Sequence, residues 1–240
     1  MTETERGTGG VLEAVDVAKS YRGGDGATLR ILDGASLTVA RGEMVAVVGA
    51  SGAGKSTLLH VLGALDRPSA GTVRIAGQEV TGLSDEQLAG LRNRTVGFVF
   101  QFHHLLREFS ALENVMMPLR IGGMRADEAR ERAAALLGRV GLSGRMQHRP
   151  SELSGGEQQR TAVARALATE PAVLLADEPS GNLDHYNAEQ LHGLFAELAR
   201  DVEIGMVVVT HNRSLAARAD RTLLLEDGRL VDTDVREVVT

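Results

Sequence analysis

Hydrophobic and polar positions along the chain follow two kinds of pattern. Four short and mainly apolar runs predict strands that are buried on both faces of a sheet. They are Met44–Val48, Val96–Phe100, Val173–Ala176 and Met206–Val209. Helical spacing of apolar residues lies between these runs. We therefore expect buried strands that alternate with helices along most of the chain.

The N-terminal part has the period of half-buried strands instead. Residues 11–17 alternate apolar and polar side chains, and the alternation breaks at residues 19–24, where we expect a polar, Gly-rich turn that contains Tyr21. Residues 29–39 predict a further pair of strands. At the other end of the chain, Asp227-Gly228 predicts a hairpin between strands over 222–225 and 229–231.

Helical periodicity over 112–120 and 126–140 predicts a small helical insertion between the second and third buried runs. Ser84 and Gln87 have the spacing of a capping box at a helix N-terminus. The remaining predicted elements are helices over 55–65, 84–91, 161–168 and 187–200 and a strand over 72–75.

The nine residues that follow the first buried run carry a strong chemical signal. They are Gly49, Ala50, Ser51, Gly52, Ala53, Gly54, Lys55, Ser56 and Thr57. A glycine, four residues and then Gly-Lys-Ser is the P-loop spacing. Glycines let backbone N–H groups converge on phosphate oxygens at a helix N-terminus, while Lys55 reaches the β- and γ-phosphates and the Ser56 hydroxyl ligates Mg²⁺. The segment predicts a nucleoside triphosphate site.

Lysine usage supports this interpretation over a Gly-rich turn without a ligand. Only Lys19 and Lys55 are lysines among the 26 basic residues. A compact ammonium and a planar guanidinium are not interchangeable against phosphates. A lysine at this position in an arginine-rich chain therefore favours phosphate binding.

Polar groups follow the other three buried runs. Asp177 and Glu178 end the third run, where one carboxylate can hold Mg²⁺ and the next can orient and deprotonate a water molecule. Gln101 follows the second run and is a candidate metal or water contact. His211 follows the fourth run, and we expect it at the same edge of the sheet.

Two weaker signals stay open at this point. Ser154, Gly155, Gly156 and Glu157 precede an Ala-rich helix and offer a second anion site, although a plain helix cap explains them equally well. The Tyr21 ring, upstream of the P-loop, can stack on adenine, but a surface tyrosine is the commoner alternative.

Composition narrows the class of protein. A chain of 240 residues with 43% hydrophobic residues can bury a sizeable core. The absence of cysteine excludes disulfides, thiolate catalysis and cysteine zinc sites, and it disfavours a zinc site at His103-His104. A net charge of −6 gives no basic footprint for nucleic acid. No apolar run approaches the roughly 18–20 residues of a membrane span, so other chains would cross a membrane that this protein serves. Residues 1–10 are polar, and we expect a disordered leader there.

In chain order, these motifs resemble those of the ATP-binding cassette (ABC) ATPases. Ser154-Gly155-Gly156-Glu157-Gln158 separates that family from other P-loop proteins. The resemblance spans residues 11–231. It implies an α/β fold, with a P-loop NTPase (RecA-like) core, an N-terminal antiparallel β subdomain and a small α-helical subdomain over about residues 102–165. All of these would lie in one ABC ATPase domain over residues 11–240.

The resemblance also implies a site shared between two copies of the chain. One copy would contribute Lys55, Ser56, Gln101, Asp177, Glu178 and His211 to one ATP with its Mg²⁺, held by Ser56, Gln101 and Asp177. The second copy would close residues 154–157 on the γ-phosphate. Tyr21 would stack on adenine, Glu178 would act as general base or position the water, His211 would contact the γ-phosphate, and Asp184 would belong to the loop 180–184 that crosses the dimer interface.

A narrower resemblance is to the ATPases of the bacterial lipoprotein-releasing (Lol) system. It rests on residues 100–106, 109–115, 117–119 and 148–152. It implies a peripheral subunit at the cytoplasmic face of the inner membrane, bound near residues 101–118 to two integral permease subunits. The lipoprotein, bound for a periplasmic carrier, would touch only the permeases. Ser180 and Asn212 replace the commoner threonine and aspartate, and neither change removes a catalytic group.

Three alternatives remain. The loop 180–184 also suits the related macrolide or peptide export and cell-division ATPases. A soluble DNA-repair ABC ATPase would carry a long coiled coil or a zinc module in its cassette, for which the segment between Gln101 and Leu153 has neither heptads nor cysteine. The intact Asp177-Glu178 pair with His211 disfavours a non-hydrolysing interaction module.

Overall fold

The structure, a computed structural model, describes residues 10–24 and 26–234. The predicted leader therefore lies, except for Gly10, outside the described residues. The four predicted apolar runs form parallel strands of one six-stranded sheet. They are β3 (Met44–Val48), β6 (Val96–Phe100), β7 (Val173–Asp177) and β8 (Gly205–Val209).

The order of this sheet is β10-β9-β3-β8-β7-β6. Strand β9 (Arg221–Glu226) is parallel to β3, and β10 (Arg229–Asp232) is antiparallel to β9. The predicted C-terminal hairpin is therefore confirmed, with its turn at Asp227-Gly228.

A second, antiparallel sheet has the order β2-β1-β4-β5. Its strands are β1 (Leu12–Arg22), β2 (Thr28–Val39), β4 (Ala70–Ile75) and β5 (Gln78–Glu79). The two sheets and the helices confirm the predicted α/β architecture with an N-terminal antiparallel β part.

Two details of the N-terminal prediction are wrong. The predicted turn over 19–24 is mostly strand, because the Lys19 ammonium is satisfied by the Asp66 carboxylate at 2.6 Å and β1 continues through Tyr21 to Arg22. Residues 29–39 form one strand rather than a pair. Gly34, with a φ of 87°, lies where the β1–β2 register shifts, and such a bulge interrupts the alternating pattern without ending the strand.

Seven α-helices lie among the described residues. They are α1 (Lys55–Leu62), α2 (Asp85–Thr95), α3 (Ala111–Ile121), α4 (Ala126–Arg139), α5 (Gly155–Leu167), α6 (His185–Val202) and α7 (Arg213–Ala216). Single turns of 3₁₀ helix occupy Ser143–Arg145 and Pro150–Glu152. The predicted capping box at Ser84 is confirmed.

Helix α5 begins six residues before the predicted start at Thr161 (155 against 161). Two glycines in its first turn disfavour a helix by propensity. The Ser154 side chain compensates as N-cap, with Glu157 completing a capping box. The short elements β5 and α7 were not predicted, because two and four residues carry no measurable period.

Three large apolar cores and a small fourth one around Ala46 hold the described elements together. One lies between the two sheets around α1, and the second lies between the parallel sheet and α6, where Phe195 is fully buried. The third joins α3, α4 and α5 through side chains such as Val115 and Leu137. No helix in the described part of the chain has the length and apolar character that crossing a bilayer requires.

A buried side chain, Asn114, holds the end of the segment between β6 and α3. The Asn114 carboxamide oxygen accepts a hydrogen bond from the Leu106 N–H at 2.8 Å. Its nitrogen donates to the carbonyl oxygens of Leu106, Phe109 and Ser110 at 3.0–3.1 Å. Asn114 therefore fixes the end of the loop that begins at Gln101.

We expect Asn114→Ala to lower the free energy of unfolding by about 2–3 kcal/mol, because it leaves buried backbone groups without partners. Denaturant unfolding measures this loss. The exposed Gln78→Ala serves as a control and is expected to stay within about 0.5 kcal/mol of the native chain. Equal stabilities of the two variants would show that Asn114 does not fix the loop.

Candidate nucleotide-binding site

The carboxyl ends of four parallel strands meet at one edge of the sheet. Phe100 pairs with Asp177, Asp177 pairs with Val209, and Val209 pairs with Val47. Because these registers are level, the residues that follow each strand emerge side by side. The structure thus brings together the P-loop after β3, Gln101 after β6, Asp177 and Glu178 at the end of β7, and His211 after β8.

The P-loop turns through left-handed backbone at three glycines. Gly49, Gly52 and Gly54 have φ angles of 154°, 81° and 98°. A Cβ on Gly49 would lie 2.6 Å from the Leu225 carbonyl oxygen, and one on Gly54 would lie 2.6 Å from the Ile31 Cγ2. Gly49 and Gly54 are therefore required by sterics as well as by backbone conformation, whereas Gly52 is favoured by backbone conformation alone.

Lys55, the first residue of α1, folds its side chain back over the loop. Its ammonium donates to the carbonyl oxygens of Gly49 and Ala50, both at 2.8 Å. The positive charge thus lies against the loop whose N–H groups precede the helix. Loop N–H groups, a helix N-terminus and an ammonium together make an anion site.

Glu178 contacts three residues at the neighbouring strand end. Its own N–H donates to the Val209 carbonyl at 2.9 Å, with a φ of 44° at Glu178. One carboxylate oxygen lies 2.8 Å from His211 Nδ1. The other accepts from the Thr210 hydroxyl at 3.3 Å and from the His211 N–H at 3.2 Å. The carboxylate is therefore fixed in direction.

The contact with Glu178 also orients the imidazole. With Nδ1 against the carboxylate, the other ring nitrogen, Nε2, points away from Glu178. The His211 side chain is 74% exposed, whereas that of Glu178 is only 17% exposed. The pair presents one buried acceptor and one accessible ring nitrogen.

Three oxygen-bearing side chains in this region suit a hard divalent cation. Gln101 Nε2 donates to Asn182 Oδ1 at 3.1 Å, and Asn182 Nδ2 donates back to the Gln101 carbonyl at 3.2 Å, which leaves the Gln101 amide oxygen available. Within the described part of the chain, no hydrogen bond or ion pair uses the Asp177 carboxylate or the Ser56 hydroxyl. One carboxylate with neutral oxygens fits Mg²⁺.

Tyr21 lies beside the P-loop at the end of β1. Its hydroxyl donates to Asp66 at 2.8 Å, and the Lys19 ammonium lies 4.8 Å from the ring centroid. Burial, followed by the contact with Asp66, raises the pKa of Tyr21, and the Thr57 hydroxyl opposes this shift. The ring is 41% exposed. Tyr21 is therefore held at its hydroxyl while much of its surface stays open.

The Ser-Gly-Gly segment forms the N-terminus of α5. The Ser154 Oγ accepts from the Glu157 N–H at 3.3 Å, and the Ser154 N–H donates to the Glu157 carboxylate at 2.8 Å. This backbone N–H is the largest favourable cause of the lowered pKa of Glu157, and Arg145 at 3.0 Å contributes further. The Ser154 hydroxyl adds a further hydrogen bond that lowers the pKa of Glu157.

The same helix start packs closely on the first turn of α6, which directly follows the loop 180–184. A Cβ on Gly156 would lie 2.3 Å from the Asn187 Oδ1. Asn187 in turn donates to the Asp184 carboxylate, through its N–H at 2.9 Å and its side chain at 2.7 Å, and the backbone bond chiefly lowers the pKa of Asp184. Residues 154–157 and Asp184 therefore form one surface.

This surface is separate from the P-loop in the single chain. No hydrogen bond or ion pair among the described residues joins residues 154–157 to residues 49–57.

Two residues that support the site were not predicted from the sequence. They are Asn182, which holds Gln101, and Thr210, which holds Glu178. Each of these hydrogen bonds joins residues that are far apart in the chain, so no local sequence pattern predicts it.

A P-loop after a buried parallel strand, with an acidic pair and a histidine on the next strands, defines a P-loop nucleoside triphosphatase. The capped Ser-Gly-Gly helix start marks the ABC class within it. Residues 32–181 match the family described as "ABC transporter". The chain therefore belongs to the ABC transporter family and is an ATP-binding, ATP-hydrolysing subunit.

Two curated relatives are called "Lipoprotein-releasing system ATP-binding protein LolD". The one from Geobacter metallireducens is 53% identical over 92% of this chain and 98% of its own length. The one from Bordetella pertussis is 54% identical over 93% and 96%. A similar solved structure is a dimer of the ATP-binding cassette MJ0796 bound to ADP and Pi, at 36% identity and a TM-score of 0.85 over 94% of this chain and 99% of that one.

We expect Gly49→Ala to destabilise the chain by more than 2 kcal/mol, on the order of the cost of backbone strain plus a steric clash with the Leu225 carbonyl. Thermal unfolding with and without ATP measures the effect. The comparison variant Gly52→Ala, at a φ of 81°, lies nearer to the left-handed region that other residues can adopt and has open space around the new Cβ, so we expect a loss of only about 1 kcal/mol. The opposite order of stabilities would contradict the packing described for Gly49.

Proposed function

We propose that this chain is the ATPase subunit of a lipoprotein-releasing ABC transporter at the cytoplasmic face of a bacterial inner membrane. The name and near-complete coverage of the curated relatives support this substrate class. The observation that carries the enzymatic part is the Glu178–His211 pair, held at the same sheet edge as the P-loop. Such a pair is needed for hydrolysis, and binding alone does not require it.

In the proposed reaction, Lys55 and the P-loop N–H groups hold the β- and γ-phosphates of ATP. The Glu178 carboxylate accepts a proton from a water molecule. The water oxygen then bonds to the γ-phosphorus as the bond to the β–γ bridging oxygen breaks, which leaves ADP and inorganic phosphate. His211 donates a hydrogen bond from Nε2 to a γ-phosphate oxygen.

We also propose that Ser56, Gln101 and Asp177 hold Mg²⁺. When bound, the ion neutralises charge on the β- and γ-phosphate oxygens. The unengaged oxygens of these three side chains support the assignment. The hydrogen bonds between Asn182 and Gln101 keep the Gln101 amide oxygen directed away from the loop 180–184.

A second copy of the chain would complete each site. Residues 154–157 would present the start of α5, including the Gly156 N–H, to the γ-phosphate held by the other copy. Asp184 lies on the same surface and would cross the interface. The dimeric cassette MJ0796 supports this arrangement.

For the base, we propose that adenine stacks on Tyr21. Lys19 lies over the ring, and the Asp66 contact fixes the ring plane. An aromatic ring that is anchored at its hydroxyl loses little entropy on stacking. Thr57 beside the phenol places this ring next to the P-loop.

The proposed permease contact is a groove of about 320 Å³ next to Gln101. Its wall includes Phe100, Leu106, Met117 and Ile121. Ile121 is 71% exposed and the neighbouring Phe102 is 64% exposed, which is unusual for large apolar side chains unless they meet a partner. The helices of two permease subunits are the proposed occupants, and they alone would touch the lipoprotein. The net charge of −6 again argues against nucleic acid.

Replacing the proposed base separates binding from chemistry. Glu178→Gln keeps the shape of the side chain but cannot accept the proton, so we expect kcat to fall by about 100-fold or more. ATP-bound dimers should accumulate, as measured by size-exclusion chromatography with ATP and by phosphate release. Lys55→Ala should instead weaken ATP binding itself. Native turnover in Glu178→Gln would refute the proposed role.

The groove is tested in cells depleted of the native chain. We expect Ile121→Asp to fail to restore the release of lipoproteins from the inner membrane, because a charge in the groove opposes an apolar partner. Lipoproteins retained in inner-membrane fractions are the readout, and ATPase activity of the purified variant is measured in parallel. Val231→Asp on β10, which changes a similarly exposed apolar residue, is the control and should restore release. Full complementation by both variants would remove the groove from the proposal.

A further inference from the structure

A buried polar chain lies behind the loop 180–184. His192 on α6 is fully buried, and its Nε2 lies 2.9 Å from the hydroxyl oxygen of Ser180, which is itself buried. The other ring nitrogen, Nδ1, lies 3.4 Å from the Glu189 carboxylate, within ion-pair distance but without hydrogen-bond geometry. Burying a histidine in an otherwise apolar helix face costs free energy of folding unless its ring nitrogens interact with polar neighbours.

Glu189 extends this chain to the helix that follows His211. Its carboxylate accepts from the Ser214 hydroxyl at 2.5 Å and from Arg218 at 2.6 Å. Ser214 lies in α7, which begins two residues after His211. The Ser214 hydrogen bond is the main cause that lowers the pKa of Glu189 and keeps the carboxylate ionised. His192 therefore joins the loop after Glu178 to the helix after His211.

The charges around His192 determine which ring nitrogen carries its proton. Burial lowers the pKa of His192, and Arg218 and His185 lower it further, while Glu189 opposes them. The ring is therefore neutral at pH 7, and the ionised Glu189 favours the proton on Nδ1. Nε2 is then an acceptor, and Ser180 donates its hydroxyl proton to it.

Ser180 is close to the catalytic residues along the backbone. The Gly181 N–H donates to the Glu178 carbonyl at 3.0 Å, so Ser180 lies inside the turn that follows the proposed base. Asn182 follows in the same turn, and its side chain accepts a hydrogen bond from Gln101. A bond that fixes Ser180 therefore fixes the turn that connects Glu178 to the Asp184 surface.

We propose that His192 is a positioning residue for ATP hydrolysis, which acts through Ser180 on the turn after Glu178 and through Glu189 on the helix after His211. It touches neither ATP nor metal. The inference rests on the proposed role of Glu178. Loss of the His192 side chain would misplace Glu178 and the loop 180–184 but leave the P-loop contacts to ATP unchanged. We therefore expect kcat to fall while KM for ATP stays nearly the same.

The two sides of the ring can be tested separately in the purified full chain. His192→Leu removes both contacts, and Ser180→Ala removes the hydroxyl. In His192→Gln the amide reaches the position of Nε2 and can still accept from Ser180, whereas in His192→Asn the amide reaches only the position of Nδ1. Phe195→Leu, on the same helix and fully buried, is the control for a purely structural loss.

We expect His192→Leu, Ser180→Ala and His192→Asn each to lower kcat about tenfold with KM for ATP within about twofold. His192→Gln should recover most of kcat, and Phe195→Leu should lower the melting temperature without lowering kcat of the folded chain. The double variant His192→Leu with Ser180→Ala should be no slower than His192→Leu alone, since leucine already removes the contact with Ser180.

Native kcat in His192→Leu or Ser180→Ala, a failure of His192→Gln to recover activity, or additive effects in the double variant would overturn the proposal. If His192→Leu does not fold, the comparison of His192→Gln with His192→Asn decides it. Absence of ATP turnover in the native chain, or turnover in Glu178→Gln, would instead contradict the proposed function. The two failures are therefore distinguishable.

Discussion

The level parallel register of β6, β7, β8 and β3 is the constraint on which the site depends. Residues that are far apart in the chain leave these strands at the same height, because Phe100, Asp177, Val209 and Val47 pair across the sheet. A slip of one residue in any pair would turn side chains to the opposite face and break the alignment. The apolar cores on both faces hold this register, so core packing and catalytic geometry are one requirement.

The parts of the structure that follow from local pattern were accessible from the sequence. Continuous apolar runs are typical of strands covered on both faces, and β3, β7 and β8 are almost fully buried, whereas β6 at the sheet edge keeps Phe98 and Phe100 half-buried. The P-loop spacing is local too, since its glycines, Lys55 and Ser56 act within one turn between a strand and a helix. The groups at the strand ends followed from the same logic, because parallel strands share a carboxyl edge.

What remained hidden depends on partners distant in sequence. The extension of β1 through Tyr21 required the pairing of Lys19 with Asp66, and the early start of α5 required the Ser154 cap to outweigh two glycines. The bonds of Asn182 to Gln101 and of His192 to Ser180 cross between separate elements. No periodicity encodes such pairs, which appear only when the chain has folded.

The separation of the Ser154 surface from the P-loop has a genetic consequence under the proposed arrangement. Each nucleotide would be enclosed by two polypeptides. A copy with a mutated phosphate loop would therefore still contribute its serine and glycines to the nucleotide site of an unmutated partner. Conversely, a copy damaged only at Ser154 spoils the neighbour's compartment and not its own. Two different defective alleles expressed in one cell would thus restore one working compartment in each mixed pair, whereas either allele alone would restore none.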